Sequence, residues 1–158
     1  MLCMSLRYTM VKAIIFDWGR TLWDNDNSVL FPDSKDVLEY LKMKGYRLAV
    51  LSISLPERFE QKYETIANSG LARYFDKVLV STKKEKEEID EINRVWNFEY
   101  KDIAIIGDQV IREVAVANKL GMKSILVKRG KFADQITTQE TGTPTHTIST
   151  VAELKSIL

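Results

Sequence analysis

The feature that most constrains the fold of this chain is an alternation of short aliphatic runs with longer stretches of helical periodicity. Five runs rich in Val, Ile and Leu recur along the sequence, at 11–16, 47–51, 77–80, 103–106 and 124–127. Because these runs are apolar at nearly every position, they predict strands that are covered on both faces. Strands joined by helices are typical of a parallel sheet. The sequence therefore predicts a three-layer α/β fold, a Rossmann-like parallel sheet with helices on both faces.

Four stretches between these runs carry helical spacing, at 34–44, 56–69, 83–96 and 110–120. Pro56 opens the second stretch, and Gly45, Gly70 and Gly121 follow the first, second and fourth. Proline at the first turn and glycine just past the end are the usual signals of helix boundaries. The tail from 146 to 158 predicts a short edge strand and a closing helix.

The composition fits one soluble globular domain. Of the 158 residues, 45% are hydrophobic and 28% are charged, and the net charge is +1, which gives no indication of a nucleic-acid or membrane partner. Cys3 is the only cysteine, so a disulfide framework is excluded and a cytoplasmic location is expected. We predict an N-terminal arm over 1–9, a single core domain over 10–158, and a mobile polar loop over 130–145.

Polar side chains follow the ends of four predicted strands. Asp17 follows the first strand, Ser52 the second and Asp108 the fourth, and the third runs into Lys83 and Lys84. In a sheet of this kind, ligands bind beyond the carboxyl ends of the strands. Carboxylates, hydroxyls and a lysine together suit phosphoryl transfer, which needs a nucleophile, an oxygen-lined cation site and donors for the phosphate.

These segments resemble the motifs of the haloacid dehalogenase-like (HAD) hydrolase superfamily, in order, along 11–158. "FDWGRTL" is similar to the first motif and places Asp17 at the nucleophile position. "LAVLSIS" is similar to the second motif and places Ser52 at its hydroxyl position. The resemblance implies a phosphatase or phosphotransferase in which Asp17 attacks phosphorus and forms an aspartyl-phosphate that water then hydrolyses.

The third and fourth motifs supply a lysine and two acids. The family lysine precedes the fourth motif by about two dozen residues, and Lys83 fits this spacing best, with Lys84 and Lys86 as alternatives in the same charged run. "GDQVIRE" is similar to the fourth motif and places Asp108 and Glu113 at its acidic positions. "ANKLGM", which comes soon after, continues the family pattern.

The resemblance also implies a cofactor and its ligands. Mg²⁺ would be held by Asp17, Asp108 and Glu113 and by the backbone carbonyl of Gly19, with waters in the remaining positions. Ser52, Lys83 and Arg20 would bind the phosphate of the substrate. Lys83 and the metal would also keep Asp17 ionised, because an opposite charge favours the charged form.

The chain departs from the family pattern at Gly19, where hydrolytic members carry an aspartate that acts as general acid and base. Glycine cannot move a proton, and such catalysis contributes about 10²–10⁴-fold. Asp24 or Asp26 could return a carboxylate from the following loop. Two functions therefore stay open: a Mg²⁺-dependent phosphatase that is slow, and a catalytically weakened member that binds phosphorylated ligands or a protein partner. A response-regulator receiver would need paired acids after the first strand, which the sequence lacks.

The gaps between the motifs are too short for a cap domain. About 34 residues separate Asp17 from Ser52, and about 30 separate Ser52 from Lys83. The resemblance is therefore to the capless phosphatases of the superfamily. An open site suits a phosphorylated small molecule, a phosphorylated macromolecule, or closure by a second subunit of a homo-oligomer.

Overall fold

The computed structural model describes residues 11–158. The predicted arm over 1–9, including Cys3, lies outside the described residues. The strands are β1 (Ala13–Phe16), β2 (Trp23–Asp24), β3 (Val29–Leu30), β4 (Arg47–Ile53), β5 (Lys77–Ser81), β6 (Ile103–Gly107), β7 (Lys123–Val127) and β8 (His146–Ile148). The α-helices are α1 (Ser34–Met43), α2 (Phe59–Ala67), α3 (Lys86–Asn93), α4 (Ala115–Leu120) and α5 (Leu154–Ile157).

Six of the strands form one sheet in the order β5-β4-β1-β6-β7-β8, and all neighbours in it are parallel. β2 and β3 form a separate antiparallel hairpin. β1 lies at the centre, with Phe16 opposite Val50 of β4 and Ile106 of β6. This confirms the predicted three-layer α/β fold and places the strand before Asp17 between the strands before Ser52 and Asp108.

Successive residues of β1 point to opposite faces of the sheet, as the strand period requires. Ile14 and Phe16 belong to a core cluster shared with α1 and α5, whereas Ala13 and Ile15 belong to a second cluster shared with α3 and α4. All four residues are fully buried. This double burial explains why the strand sequence is apolar throughout and not alternating.

Three predicted helices begin differently in the structure, and two of these differences affect the site. The stretch 83–96 becomes helical only at Lys86, and 110–120 begins with a π-helical turn, Val110–Val114, before α4. The stretch 56–69 begins with a 3₁₀ turn, Pro56–Arg58, before α2. The first two differences determine which side chains reach the carboxyl edge of the sheet.

The connections in the described part of the chain contain no cap domain. Between Asp17 and Ser52 lie only the β2–β3 hairpin and α1, and between Ser52 and Lys84 only α2, β5 and short 3₁₀ turns. The polar segment 130–145 is held by the Asn118 side chain, which donates to the carbonyls of Thr141 and Thr143. None of the helices in residues 11–158 has the length and apolar character needed to cross a membrane.

Candidate functional site

A tight turn directly after Asp17 shapes the first part of the site. The carbonyl of Trp18 accepts hydrogen bonds from the backbone N–H groups of Leu22 and Trp23, each at 3.0 Å. Arg20 has a φ of +60° and donates its backbone N–H to the Trp23 carbonyl at 2.7 Å. A positive φ favours glycine, so the turn holds Arg20 in a backbone conformation that is uncommon for a residue with a side chain.

Lys84 lies between two carboxylates at the centre of the site. Its Nζ is 2.6 Å from Asp17 Oδ1 and 2.5 Å from Glu113 Oε1. The side chains of Lys84 and Glu113 are 2% and 1% exposed. Burial opposes the charge on Lys84, but the two carboxylates outweigh it, and the pKa of Lys84 is raised above its usual value. The three groups therefore form a buried charged cluster with Asp17 on its solvent side.

Lys83, which the sequence analysis favoured as the motif lysine, lies outside this cluster. Its side chain is 45% exposed, and its Nζ contacts Glu85 at 3.0 Å and Glu87 at 3.4 Å. Lys86, the other alternative, pairs with Asp90 at the surface. The structure thus brings Lys84, and not Lys83, next to Asp17, and Lys84 replaces Lys83 as the candidate for the motif lysine.

The start of α3 explains why Lys84 and not Lys83 enters the site. Glu85 and Glu88 form a capping box, in which each side chain accepts a backbone N–H of the other. Ser81 Oγ also donates to Glu88 at 3.1 Å and ties the helix to the end of β5. Because the helix begins at Lys86, residues 82–85 are not helical, and Lys84 points inward while Lys83 points to solvent.

Gly107 and Glu113 are matched in shape. A Cβ at Gly107 would lie 2.4 Å from Glu113 Cδ, so the glycine before Asp108 makes room for this side chain. Glu113 Oε1 accepts from Lys84 and Oε2 accepts from the Gln109 N–H at 3.1 Å. Both oxygens thus have partners within the protein, and Glu113 does not line the cavity beside Asp17, so this geometry favours a role in positioning Lys84 over the predicted role of a metal ligand.

Asp108 is buried with an unsatisfied oxygen. Its side chain is 1% exposed, and Oδ2 has no hydrogen-bond partner among the described residues. Among the described residues, Asp108 forms one ion pair, in which Oδ2 lies 4.0 Å from Nη1 of Arg20. Burial, followed by the charges of Asp17 and Glu113, raises the pKa of the Asp108 carboxyl to about 8. Such a group favours a proton or a bound cation beside it.

A cavity of about 80 Å³ brings most of the predicted site residues together. The predicted residues that line it are Asp17, Gly19, Arg20, Ser52 and Asp108. Five of the lining residues were not singled out from the sequence: Asn25, Ile53, Lys62, Gln109 and Arg112. Lys83 and Glu113 do not line it. The ends of β1, β4 and β6, which are the first, second and fourth predicted strands, thus meet at one cavity as predicted.

Lys62 reaches the cavity from α2, the helix that follows the strand of Ser52. Burial lowers the pKa of Lys62, and the negative charge of Asp17 opposes this shift. A sequence signal for Lys62 existed, because it lies four residues after Arg58 on the first turns of a helix that begins at the carboxyl edge of the sheet. Arg112 had a weaker signal, as the neighbour of Glu113.

Asn25 occupies the space beside Gly19 where the family carries its acid–base side chain. A Cβ built on Gly19 would lie 2.9 Å from Asn25 Nδ2 and 3.1 Å from Oδ1. Asp24 instead turns its carboxylate to the backbone N–H groups of Asp26 and Asn27, at the exposed tip of the hairpin. Neither Asp24 nor Asp26 lines the cavity. The hairpin therefore places the amide of Asn25, and not a carboxylate, in the cavity.

The donor set fits one hard cation. The described residues contain no group of three or more His, Cys, Asp and Glu side chains arranged to hold a metal. However, Mg²⁺ is usually held by one or two carboxylates and keeps several waters. Asp17 and Asp108, which line the same cavity, and the carbonyl of Gly19 match that requirement, and the unsatisfied Oδ2 of Asp108 is consistent with it.

The parallel sheet and the lysine–carboxylate cluster at its carboxyl edge define a hydrolase core of the HAD type. The family model described as HAD-hydrolase-like matches residues 76–154, half of the chain. The chain belongs to this family, and its homologues support a phosphatase-type hydrolase.

Curated relatives carry the name glyceraldehyde 3-phosphate phosphatase. The relative from Methanothermobacter thermautotrophicus is 28% identical over 156 residues, which cover 93% of this chain and 68% of the relative. The relative from Methanopyrus kandleri is 22% identical over 133 residues, which cover 81% of this chain and 56% of the relative. The chain thus spans between about half and two thirds of the length of these relatives.

Solved structures share the fold at low identity. A protein from Listeria monocytogenes serotype 4b superposes with a TM-score of 0.75 at 21% identity, covering 93% of this chain and 96% of that one. A magnesium-bound HAD hydrolase from Bacillus subtilis superposes with a TM-score of 0.67 at 21% identity, covering 82% of this chain and 56% of that one.

Proposed function

We propose that this chain is a Mg²⁺-dependent phosphatase or phosphotransferase that acts on phosphoric monoesters of small molecules through an aspartyl-phosphate on Asp17. The observation that carries the proposal is the position of Lys84, between Asp17 and Glu113 and next to the cavity that Ser52 and Asp108 line. The buried ammonium group of Lys84 contacts this strand-end carboxylate, and it can offset the charge of a phosphoryl group that the carboxylate attacks. The phosphatase names of the relatives support the reaction class.

The chemistry follows from the residues around the cavity. The carboxylate of Asp17 attacks phosphorus, a P–O bond forms to Asp17, and the bond to the leaving oxygen breaks. Ser52 and Arg20, which line the cavity, and Lys84 orient the phosphoryl oxygens and offset their charge. Asp17, Asp108 and the Gly19 carbonyl would hold Mg²⁺, which supplies further charge neutralisation during phosphoryl transfer. Water then attacks phosphorus and breaks the bond to Asp17, which releases inorganic phosphate.

The second step is slow in this proposal because the only carboxylates among the described residues that line the cavity are Asp17 and Asp108, the proposed nucleophile and metal ligand. Asn25, which lies beside Gly19, can hold a water or a leaving oxygen by hydrogen bonds, but its amide does not exchange a proton near neutral pH. The expected loss is within the range of about 10²–10⁴ that general acid–base catalysis contributes.

The presence of Asn25 at this position also favours a second candidate function. A member that forms the aspartyl-phosphate too slowly to matter would act as a binding protein for phosphorylated ligands or for a protein partner. The two candidates share the cavity and differ only in whether Asp17 becomes phosphorylated.

Rapid mixing with p-nitrophenyl phosphate and Mg²⁺ tests the proposal. We expect a burst of about one equivalent of p-nitrophenolate, followed by slow turnover, because this leaving group departs without protonation. Mass spectrometry should place the phosphate on Asp17, and Asp17→Asn should remove both phases. Phosphate binding without burst or turnover would overturn the proposal in favour of the binding protein.

A further inference from the structure

A larger cleft of about 520 Å³ adjoins the cavity at Asp17. Ile53 and Lys62 line both spaces, so the cleft and the cavity are adjacent. The volume is typical of sites for small-molecule ligands, which measure about 300–1,000 Å³. A phosphate held at Asp17 therefore has a neighbouring space into which the organic part of its ester can extend.

One wall of this cleft is aromatic. Trp18 and Trp23 are stacked, with ring centroids 5.9 Å apart and an angle of 18° between the planes, and both line the cleft. Trp18 is fully buried, whereas Trp23 is only partly buried and lies on the hairpin strand β2. Leu55, which is 56% exposed, adds a further apolar surface. A wall of this kind suits a flat or apolar group.

Another part of the cleft lining is cationic. Arg58, Lys62 and Thr65 lie four and three residues apart, so they share one face of the helical segment that begins at Pro56 and continues through α2. Among the described residues, none that line the cleft is acidic. Lys62 lies where the cleft meets the cavity, and Arg58 lies in the cleft alone. The cleft thus holds a positive charge that the reacting phosphate does not contact.

We propose that this cleft is the leaving-group subsite and that it takes a phosphoric monoester whose organic part is flat and carries a second anionic group, a carboxylate or a second phosphate. Trp23 contacts the flat part, Lys62 lies between the two anions, and Arg58 binds the second anion. This inference rests on the proposed function, because it requires the first phosphate to bind beside Asp17.

Calorimetric titration of the full chain carrying Asp17→Asn, which prevents turnover, tests the subsite with three ligands. The probes are phenyl phosphate, 4-carboxyphenyl phosphate and 1,4-phenylene bisphosphate, each with Mg²⁺. We expect the last two to bind about tenfold tighter than phenyl phosphate, the scale of one charge-assisted hydrogen bond. A preference for only one of them identifies the second anion as a carboxylate or as a phosphate.

Matched arginine variants assign the preference to Arg58. Arg58→Gln should reduce the ratio of affinities to near one, whereas Arg94→Gln, an exposed substitution near the end of α3 and outside the cleft, should leave the ratio unchanged. Trp23→Leu should weaken all three aryl ligands severalfold and leave binding of inorganic phosphate unaltered.

The two proposals fail in different ways. Normal binding of phenyl phosphate with no preference for a second anion overturns the subsite and leaves the proposed function intact. A preference for ligands with a second anion that persists in Arg58→Gln also overturns the assignment of Arg58 as the residue that binds this anion. Binding of none of the three ligands, together with no burst in the wild type, overturns both.

Discussion

The ammonium group of Lys84 lies 2.6 Å from the carboxylate of Asp17, and only 2% of the Lys84 side chain is exposed. The preceding residue, Lys83, is 45% exposed and pairs with two glutamates of the surface. Two adjacent lysines thus have opposite environments, and only one of them can influence the proposed nucleophile. This contrast gives a sharp test of the site.

Lys84→Met should lower the rate of phosphorylation of Asp17 by about 10²-fold or more, because it removes the buried charge that stabilises the carboxylate and the phosphoryl oxygens. Breaking one partner of a buried pair also costs stability, about 3–5 kcal/mol. The rate should be measured by the p-nitrophenolate burst at a temperature where urea denaturation shows the variant to be folded.

Lys83→Met is the matched control, and its burst should be within about twofold of the wild type because exposed ion pairs contribute little. Equal losses in the two variants, or a larger loss in Lys83→Met, would contradict the assignment of Lys84.

Gly19→Asp should accelerate steady-state turnover by an order of magnitude or more, within the range of about 10²–10⁴ for acid–base catalysis. Gly19 is not among the residues with positive φ, so its backbone accepts a side chain. The obstacle is Asn25, whose amide lies 2.9 Å from the position of the new Cβ. We therefore expect the double variant Gly19→Asp/Asn25→Ala to be faster than Gly19→Asp alone, as measured by release of inorganic phosphate.

Asp24→Asn serves as the control for this experiment. Its carboxylate is engaged at the hairpin tip, so turnover should stay near the wild-type rate. A large loss in Asp24→Asn, together with fast wild-type turnover and no burst, would show that Asp24 already performs the acid–base step.

Mg²⁺ should raise the melting temperature, since a ligand that binds only the folded state stabilises it by mass action. At 100 times Kd the gain is about 2.7 kcal/mol, which corresponds to a rise of several degrees for a chain of this size. Asp108→Asn should abolish the rise measured by differential scanning fluorimetry. Asp26→Asn, a matched change outside the cavity, should retain the rise. If Asp26→Asn abolishes the rise and Asp108→Asn does not, the metal binds at the hairpin and not at Asp108.

The raised pKa of Asp108 predicts a pH dependence of stability. Between its ordinary value of 3.8 and about 8, the folded protein holds a proton on Asp108 that the unfolded chain has released. The free energy of unfolding should therefore fall as pH rises through this window and level off above about 8. Without Mg²⁺ this fall should appear in urea denaturation of the wild type.

Asp108→Asn should show a shallower pH dependence than the wild type over the same window, since it lacks the titrating group. Saturating Mg²⁺ should have a similar effect in the wild type, because a bound cation favours the ionised carboxylate. Identical pH profiles for wild type and Asp108→Asn would show that Asp108 does not titrate in this range.

The fold and the residues at the strand ends could be predicted from the sequence. Runs such as 103–106 are apolar at every position, and this local pattern is sufficient to predict a doubly covered parallel sheet. Because β1 is central, the residues that follow it and its two neighbours necessarily meet at one edge. The convergence of Asp17, Ser52 and Asp108 was therefore predictable.

The tertiary structure alone decided which side chains complete the site. Whether Lys83 or Lys84 points inward depends on where α3 begins, which the capping box of Glu85 fixes. Oε1 of Glu113 accepts a hydrogen bond from Lys84, which is 29 residues away in the chain. Lys62 enters the site only because α2 packs against the strand ends. These outcomes depend on contacts between distant segments and on one-residue changes in side-chain direction, and neither is encoded in a local pattern of hydrophobicity or spacing.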